Sequence, residues 1–191
     1  MCAGNKGPPP PEKSRIEPSS TALLDDPLDF FFAEHFRQRE LCNLLEEMAR
    51  ADRLDRRLAA EVIAFLRHDL VLHIQDEEED LYPMMRRRCP PEDEIERVFT
   101  ALTAEHAGGR VLAERMNTGL EAALREGRAG AAQSGLREAM LEFARSERRH
   151  LALENAVVLP LARRRLTPKD LEAMAVRMRA RRAQEPAREG A

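Results

Sequence analysis

The chain has 191 residues, enough for one domain with a real core, and its mixture of 34% charged and 43% apolar residues, with no Trp and one Tyr, favours helix over strand. A formal net charge of −3 gives no overall basic character with which to hold nucleic acid. No run of 18 apolar residues occurs, so no membrane span is expected.

The opening MCAGNKGPPPPEKSR lacks an apolar stretch followed by a cleavage site, and it predicts no secretory leader. Residues 1–25 are rich in Pro, Ser and charge and read as a disordered tail. Cys2, Cys42 and Cys89 are odd in number and show no CxxC spacing. They predict reduced thiols and a cytoplasmic protein, with neither a disulfide framework nor a zinc site.

Asp26-Pro27 provides a cap and a first-turn proline for a helix over 27–49. A second helix is expected over 53–88, ended by Cys89-Pro90-Pro91, and a third from Pro91 to about 126. EGRAGAAQSG then interrupts the pattern, and a fourth helix follows over 132–165. Thr167-Pro168-Lys169-Asp170 opens a short fifth helix to about 182, followed by a polar tail. The expected fold is all-α: an antiparallel up-down-up-down four-helix bundle over 26–166, with the short helix and tail over 167–191.

Each long helix carries one histidine in the middle of its apolar stripe. The stripes read Leu28, Phe31, His35, Cys42, Leu45; then Leu66, Leu70, His73, Glu77, Leu81, Met84. The third reads Ile95, Phe99, Leu102, His106, Ala113, Met116, Leu120; the fourth, Leu136, Met140, Phe143, Glu147, His150, Glu154, Val157, Leu161. HIQDEEEDLYP (73–83) and HLALENAVVLP (150–160) share His, Glu four residues on, and Pro six beyond that. Glu34-His35 also matches Glu105-His106, so the chain reads as a doubled helical hairpin.

An unpaired carboxylate in a core costs several kcal/mol or gives up its charge. Glu at i+4 lies about 40° around the helix from His, so both reach one point on the bundle axis. Four imidazoles and two carboxylates suit one or two iron ions. A lone mid-helix His is ordinarily a hydrogen-bonded core residue, and a lone His-x-x-x-Glu is often a surface pair. Four such histidines with the doubled motif are hard to explain that way.

AEHFRQRELC, HIQDEEEDLYP, TAEHAGG and HLALENAVVLP together resemble the hemerythrin-like (HHE) family of di-iron bundles over about 27–165. The resemblance implies His35, His73, His106 and His150 as iron ligands, with Glu77 and Glu154 bridging two oxo- or hydroxo-bridged irons. Oxygen-carrying hemerythrins have a further His one turn after the third-helix ligand; here that residue is Arg110. The expected function is therefore binding of iron and of a small diatomic or peroxide ligand (O2, NO or H2O2) in sensing or stress response. A change of ligand or redox state would then shift helix packing and signal to a protein partner. Turnover of peroxide or nitric oxide, and iron delivery for repair of iron–sulfur centres, stand beside it.

Asp69, Ser146 and Glu147 are candidates for orienting the ligand imidazoles from outside. Glu78, Glu79 and Asp80 read as a solvated acidic face, and Arg177, Arg179, Arg181 and Arg182 as a solvated basic helix end. Tyr82 reads as packing, Cys42 as a small core residue, and His68, about 140° from His73, as a surface or boundary residue.

Overall fold

Asp26 begins the bundle: its carboxylate accepts from the backbone N–H of Leu28 and Asp29, at 2.9 and 3.2 Å. Pro27 follows at the first helical position, where its missing N–H costs nothing, and α1 runs Pro27–Arg50. The computed structural model describes residues 14–126 and 134–184. Within them α2 spans 56–88, capped by the Asp55 carboxylate; α3 is Ile95–Glu126; α4 spans 134–165; and α5 is Pro168–Gln184. No strand occurs among the described residues, and no helix is long and apolar enough to cross a membrane. The molecule is an all-helical bundle in which α4 packs against both α1 and α3.

The third helix starts later than its sequence suggests. Pro91–Asp93 forms a 3-10 turn, and Glu94 adopts a left-handed conformation (φ 48°), so the helix begins only at Ile95. The opening of α5 is as its sequence suggests. Thr167 Oγ1 accepts from Asp170 N–H at 3.2 Å while the Asp170 carboxylate accepts from Thr167 N–H at 2.9 Å, closing a reciprocal capping box. The expected break before α4 falls largely on residues 127–133, outside the described residues, as do residues 1–13 and the tail from 185.

Two π-turns recur at matched places. The helix widens at Glu77–Leu81 in α2 and at Glu154–Val158 in α4, each beginning at the Glu of a His-x-x-x-Glu segment. Tyr82 N–H bonds the carbonyl of Glu77, and Leu159 N–H that of Glu154, five residues back in each case. Pro83 and Pro160 follow immediately. A proline ring clashes with the carbonyl four residues earlier and offers no N–H to it, so a widened turn before it relieves both problems. The repeated Pro offset in the sequence thus marks two helix distortions at the same distance from the two glutamates.

In α2 the expected Leu81 and Met84 stay buried at and beyond the widened turn, but in α4 the buried face moves around by one residue. In α4 the sequence pattern expects Val157 and Leu161 inside, but both are half-buried, and Val158, Leu159 and Ala162 are buried instead. Before the turn, the stripe through Leu136, Met140 and Phe143 is inside as expected.

The apolar interior forms two clusters. One gathers Leu41, Leu45, Phe65, Leu70, Met116, Leu120, Met140 and Phe143; the other gathers Leu28, Phe31, Tyr82, Met85, Phe99, Val158, Met174 and Met178. Helix α5 contributes to the second, so it is part of the packed structure. Residues 14–25, expected to be disordered, also pack where they are described. Ile16 is buried, its carbonyl accepts from Arg37 at 3.0 Å, and Thr21–Asp25 forms a 3-10 turn that buries Leu24. The buried Ile16 and Leu24, with Ser14 bonding Glu61 and Arg15 bonding Glu47, hold this stretch on the bundle.

Candidate metal centre

His35, His73, Glu77, His106, His150 and Glu154 meet between the two apolar clusters, and all six are at most 4% exposed. They form two groups of four that share both glutamates: His35 and His73 with Glu77 and Glu154, and His106 and His150 with the same pair. Within each group one ligand atom per residue lies within 4.8 Å of the others.

The glutamates face the imidazoles differently. Glu77 presents Oε1 to His73 Nε2 at 3.1 Å and to His35 Nε2 at 3.8 Å, and Oε2 to His106 Nε2 at 3.2 Å. It therefore reaches both groups with separate oxygens. Glu154 presents Oε2 to both His35 and His150, at 3.3 Å each. Its Oε1 accepts from the Tyr82 hydroxyl at 2.7 Å. Tyr82 is fixed in turn by stacking on Phe99, with ring centroids 4.3 Å apart. Its side chain packs, as expected, but its hydroxyl also holds one oxygen of the centre.

Three imidazoles have an oxygen partner at Nδ1. His35 meets Asn155 Oδ1 at 2.9 Å, His106 meets Glu78 Oε1 at 2.8 Å, and His150 meets Glu105 Oε2 at 3.1 Å. An oxygen acceptor there requires Nδ1 to carry the hydrogen, which turns Nε2 inward as the donor atom for a cation. Arg110, which stands where oxygen carriers have their further histidine, bonds both oxygens of Glu78 at 3.0 and 2.8 Å. It braces the carboxylate that orients His106.

The residues the sequence suggests for orienting make contacts of their own. Asp69 is ion-paired to Arg37 at 3.2 Å, and the Ser146 hydroxyl donates to the carbonyl of Phe143 at 3.0 Å. Glu147 is half-buried in the wall of a small cavity beside His73 and His150, where burial pushes its carboxyl up. Glu78 and Asn155 each directly follow a glutamate of the centre, and the period of 100° per residue points them at the neighbouring helix. Their position beside a repeated motif was the only sequence signal for them.

Of the acidic and basic runs expected to be solvated, Glu79, Arg177 and Arg179 are exposed, but Asp80 is buried and pairs with Arg177 and Arg181. Asp76 and Asp80 are buried, and Arg181 reaches Asp76 at 2.7 Å and Asp80 at 2.6 Å. Arg182 meets Asp76 at 2.7 Å, and Arg177 contacts Asp80. The Arg182 guanidinium also lies 4.6 Å over the Phe30 ring. Helix α5 is thereby clamped to the stretch of α2 that carries Glu77. Cys42 is buried, and burial pushes its thiol up to about 12, as suits an inert core residue. His68 is exposed, as expected, and Cys2 lies outside the described residues.

The family model of the hemerythrin HHE cation binding domain matches residues 26–162. The chain belongs to the hemerythrin HHE family. No curated protein matches it. The HHE family's cation-binding character agrees with the chemistry of the cluster. His35 Nε2, His73 Nε2, both oxygens of Glu77 and Glu154 Oε2 are buried without a hydrogen bond, although the distances among them bring opposite charges close. His106 Nε2 and His150 Nε2 face each other at 3.1 Å. Buried polar atoms are ordinarily satisfied, and this many converging orphans fit a cation placed among them.

Protons can partly substitute for that cation. Burial alone would lower His35 and His150, but the glutamates overcome it and raise both to about 10. His106 is raised for the same reason. Glu77 and Glu154 are buried, which opposes their ionisation, yet the imidazoles hold both below the usual carboxylate range.

Proposed function

We propose that this HHE protein holds two iron ions and binds a small ligand such as O2, NO or peroxide in sensing or stress response. The observation that carries the reading is the set of buried nitrogen and oxygen atoms converging from four helices, those of His35, His73, Glu77 and Glu154 including atoms without a hydrogen-bond partner. One iron would take His35 and His73, the other His106 and His150, with Glu77 and Glu154 shared. Imidazole with carboxylate is a donor set that suits iron. The short links and the packing of α4 on α1 and α3 support an up-down-up-down antiparallel course for the four long helices.

Bound iron would supply a redox-active position open to a small ligand. The chain's own part is to orient and exclude. Asn155, Glu78 and Glu105 fix three imidazoles, Tyr82 holds Glu154, and the two apolar clusters keep bulk water from either end. The cavity that reaches the centre has a volume of only ≈ 20 Å³, which favours ligands of very few atoms.

The test is metal content per chain after expression with iron, together with the absorption spectrum in air and after reduction. The wild type is expected to hold about two irons, as di-iron bundles do. Glu77→Gln, which removes a charge shared by both groups, is expected to lose iron from both, and His73→Ala to lose it first from its own. Unchanged metal content in both variants would return the six residues to a structural role.

A further inference from the structure

Gln38 lies one turn after His35 on α1 and is 1% exposed, yet neither its Nε2 nor its Oε1 has a hydrogen-bond partner. An amide buried in this way works against folding. A methionine or leucine of similar volume would fill the same space without that penalty. The amide faces a place where a partner can come: Gln38 lines the ≈ 20 Å³ cavity together with His73, His106, Phe143, Glu147 and His150. Three of the centre's imidazoles and the residue with the orphaned amide therefore line one cavity.

A water needs about 10–15 Å³ of such space, so the cavity takes little more than one water-sized group before its walls must give. Phe143 and the neighbouring Leu70 and Ile74 make part of the lining apolar, and Gly109 on the α3 side contributes no side chain to it. A small polar ligand entering there meets few fixed donors. Ser146 is also on the wall, but its hydroxyl is spent on the Phe143 carbonyl.

We propose that Gln38 is a specificity-determining residue for the ligand of this centre. Its amide N–H donates to the outer, hydrogen-bond-accepting atom of a two- or three-atom ligand seated in the cavity. The class selected is small anions and polar diatomics. Larger molecules, and small ones without an acceptor at the outer end, are disfavoured. The proposal rests on the six-residue cluster holding iron, and it adds a residue outside that cluster.

The test titrates azide, a three-atom anion with an accepting terminal nitrogen, into iron-loaded wild type and Gln38→Met, following the ligand's charge-transfer absorption. Iron content is measured on the same samples. With equal iron in both, azide is expected to bind the variant about tenfold or more weakly, a tenfold change being 1.4 kcal/mol. The metal-free variant is expected to melt at or above the wild-type temperature, because an orphaned amide has been replaced by an apolar chain. Gln38→Leu provides a second variant should the first not fold. Equal azide affinity at equal iron content would overturn the proposal, leaving Gln38 with an ordered water only. A fall in melting temperature with unchanged affinity would do the same and make Gln38 structural. Absence of iron from the wild type would overturn the underlying metal reading and this proposal with it, and iron analysis distinguishes that outcome from the others.

Discussion

Replacing Arg181 by Ala removes the cation shared by two buried carboxylates. Arg181 lies 2.7 Å from Asp76 Oδ1 and 2.6 Å from Asp80 Oδ2, and its own side chain is only 14% exposed. Asp76 would keep Arg182, and Asp80 would keep Arg177, so neither carboxylate loses every partner. Truncating one member of a buried pair costs roughly 3–5 kcal/mol, and the remaining partners place the expected loss at about 3 kcal/mol. For a chain of this size that corresponds to a fall in Tm of roughly 6 to 12 °C. Urea unfolding of the metal-free protein at fixed pH and salt measures it. Arg179→Ala, on the same helix but facing an 89% exposed Asp25, is the control and is expected to change stability by less than about 0.5 kcal/mol. A loss for Arg181→Ala no larger than for the control would refute the clamp and return α5 to a solvated helix end.

The protonation of the centre makes a second expectation. His35 and His150 rise from 6.5 to about 10 on folding, so their stabilising contribution is complete below pH 6.5 and lost as pH climbs through about 10. Glu77 and Glu154, held below 4.5, contribute above that value and lose it as pH falls through their lowered folded-state pKa values. Thermal melts of metal-free protein should therefore decline from about pH 6 to pH 10, while iron-loaded protein, whose imidazoles bind as neutral ligands, should show a smaller decline. Parallel profiles for the two forms would count against proton and metal competing for one set of atoms. Tyr82→Phe removes the 2.7 Å hydrogen bond to Glu154 and should cost the metal-free protein about 1.5–3 kcal/mol in urea unfolding. It should also speed iron loss to a chelator, and no change in either would reduce Tyr82 to packing.

Periodicity carried most of the architecture. The stripes through Leu28, Phe31 and His35, and through Phe99, Leu102 and His106, are buried as their spacing requires, and the six residues of the doubled motif converge. What periodicity missed has two causes. The first is local: π-turns at Glu77 and Glu154 add a residue to the helical turn, so a fixed period fails after Glu154 and misplaces Val157 and Leu161. The second is long-range pairing. Asp76 and Arg181 are 105 residues apart, and each by itself looks like an ordinary charge on a helix surface. Gln38 falls on the His35 stripe, three residues after His35 and four before Cys42, but nothing in a sequence shows that a polar residue there is buried without a partner.

The doubled sequence also builds two unequal halves. Residues following the shared glutamates do equivalent work, Glu78 on His106 and Asn155 on His35, but one is a carboxylate and the other a neutral amide. The matched Glu34 and Glu105 diverge further: Glu105 reaches His150, whereas Glu34 is bound by Arg37 through two 2.9 Å contacts. Both imidazoles of the His106–His150 pair are therefore backed by carboxylates, which strengthen an imidazole as a donor, while His35 is backed by an amide. Glu154 serves both groups alike through Oε2, since its other oxygen is held by Tyr82. A repeat visible in the clustered His and Glu residues has been kept where geometry demands it and altered in the charges behind them, so the two groups of four differ in donor strength although their residues match in kind.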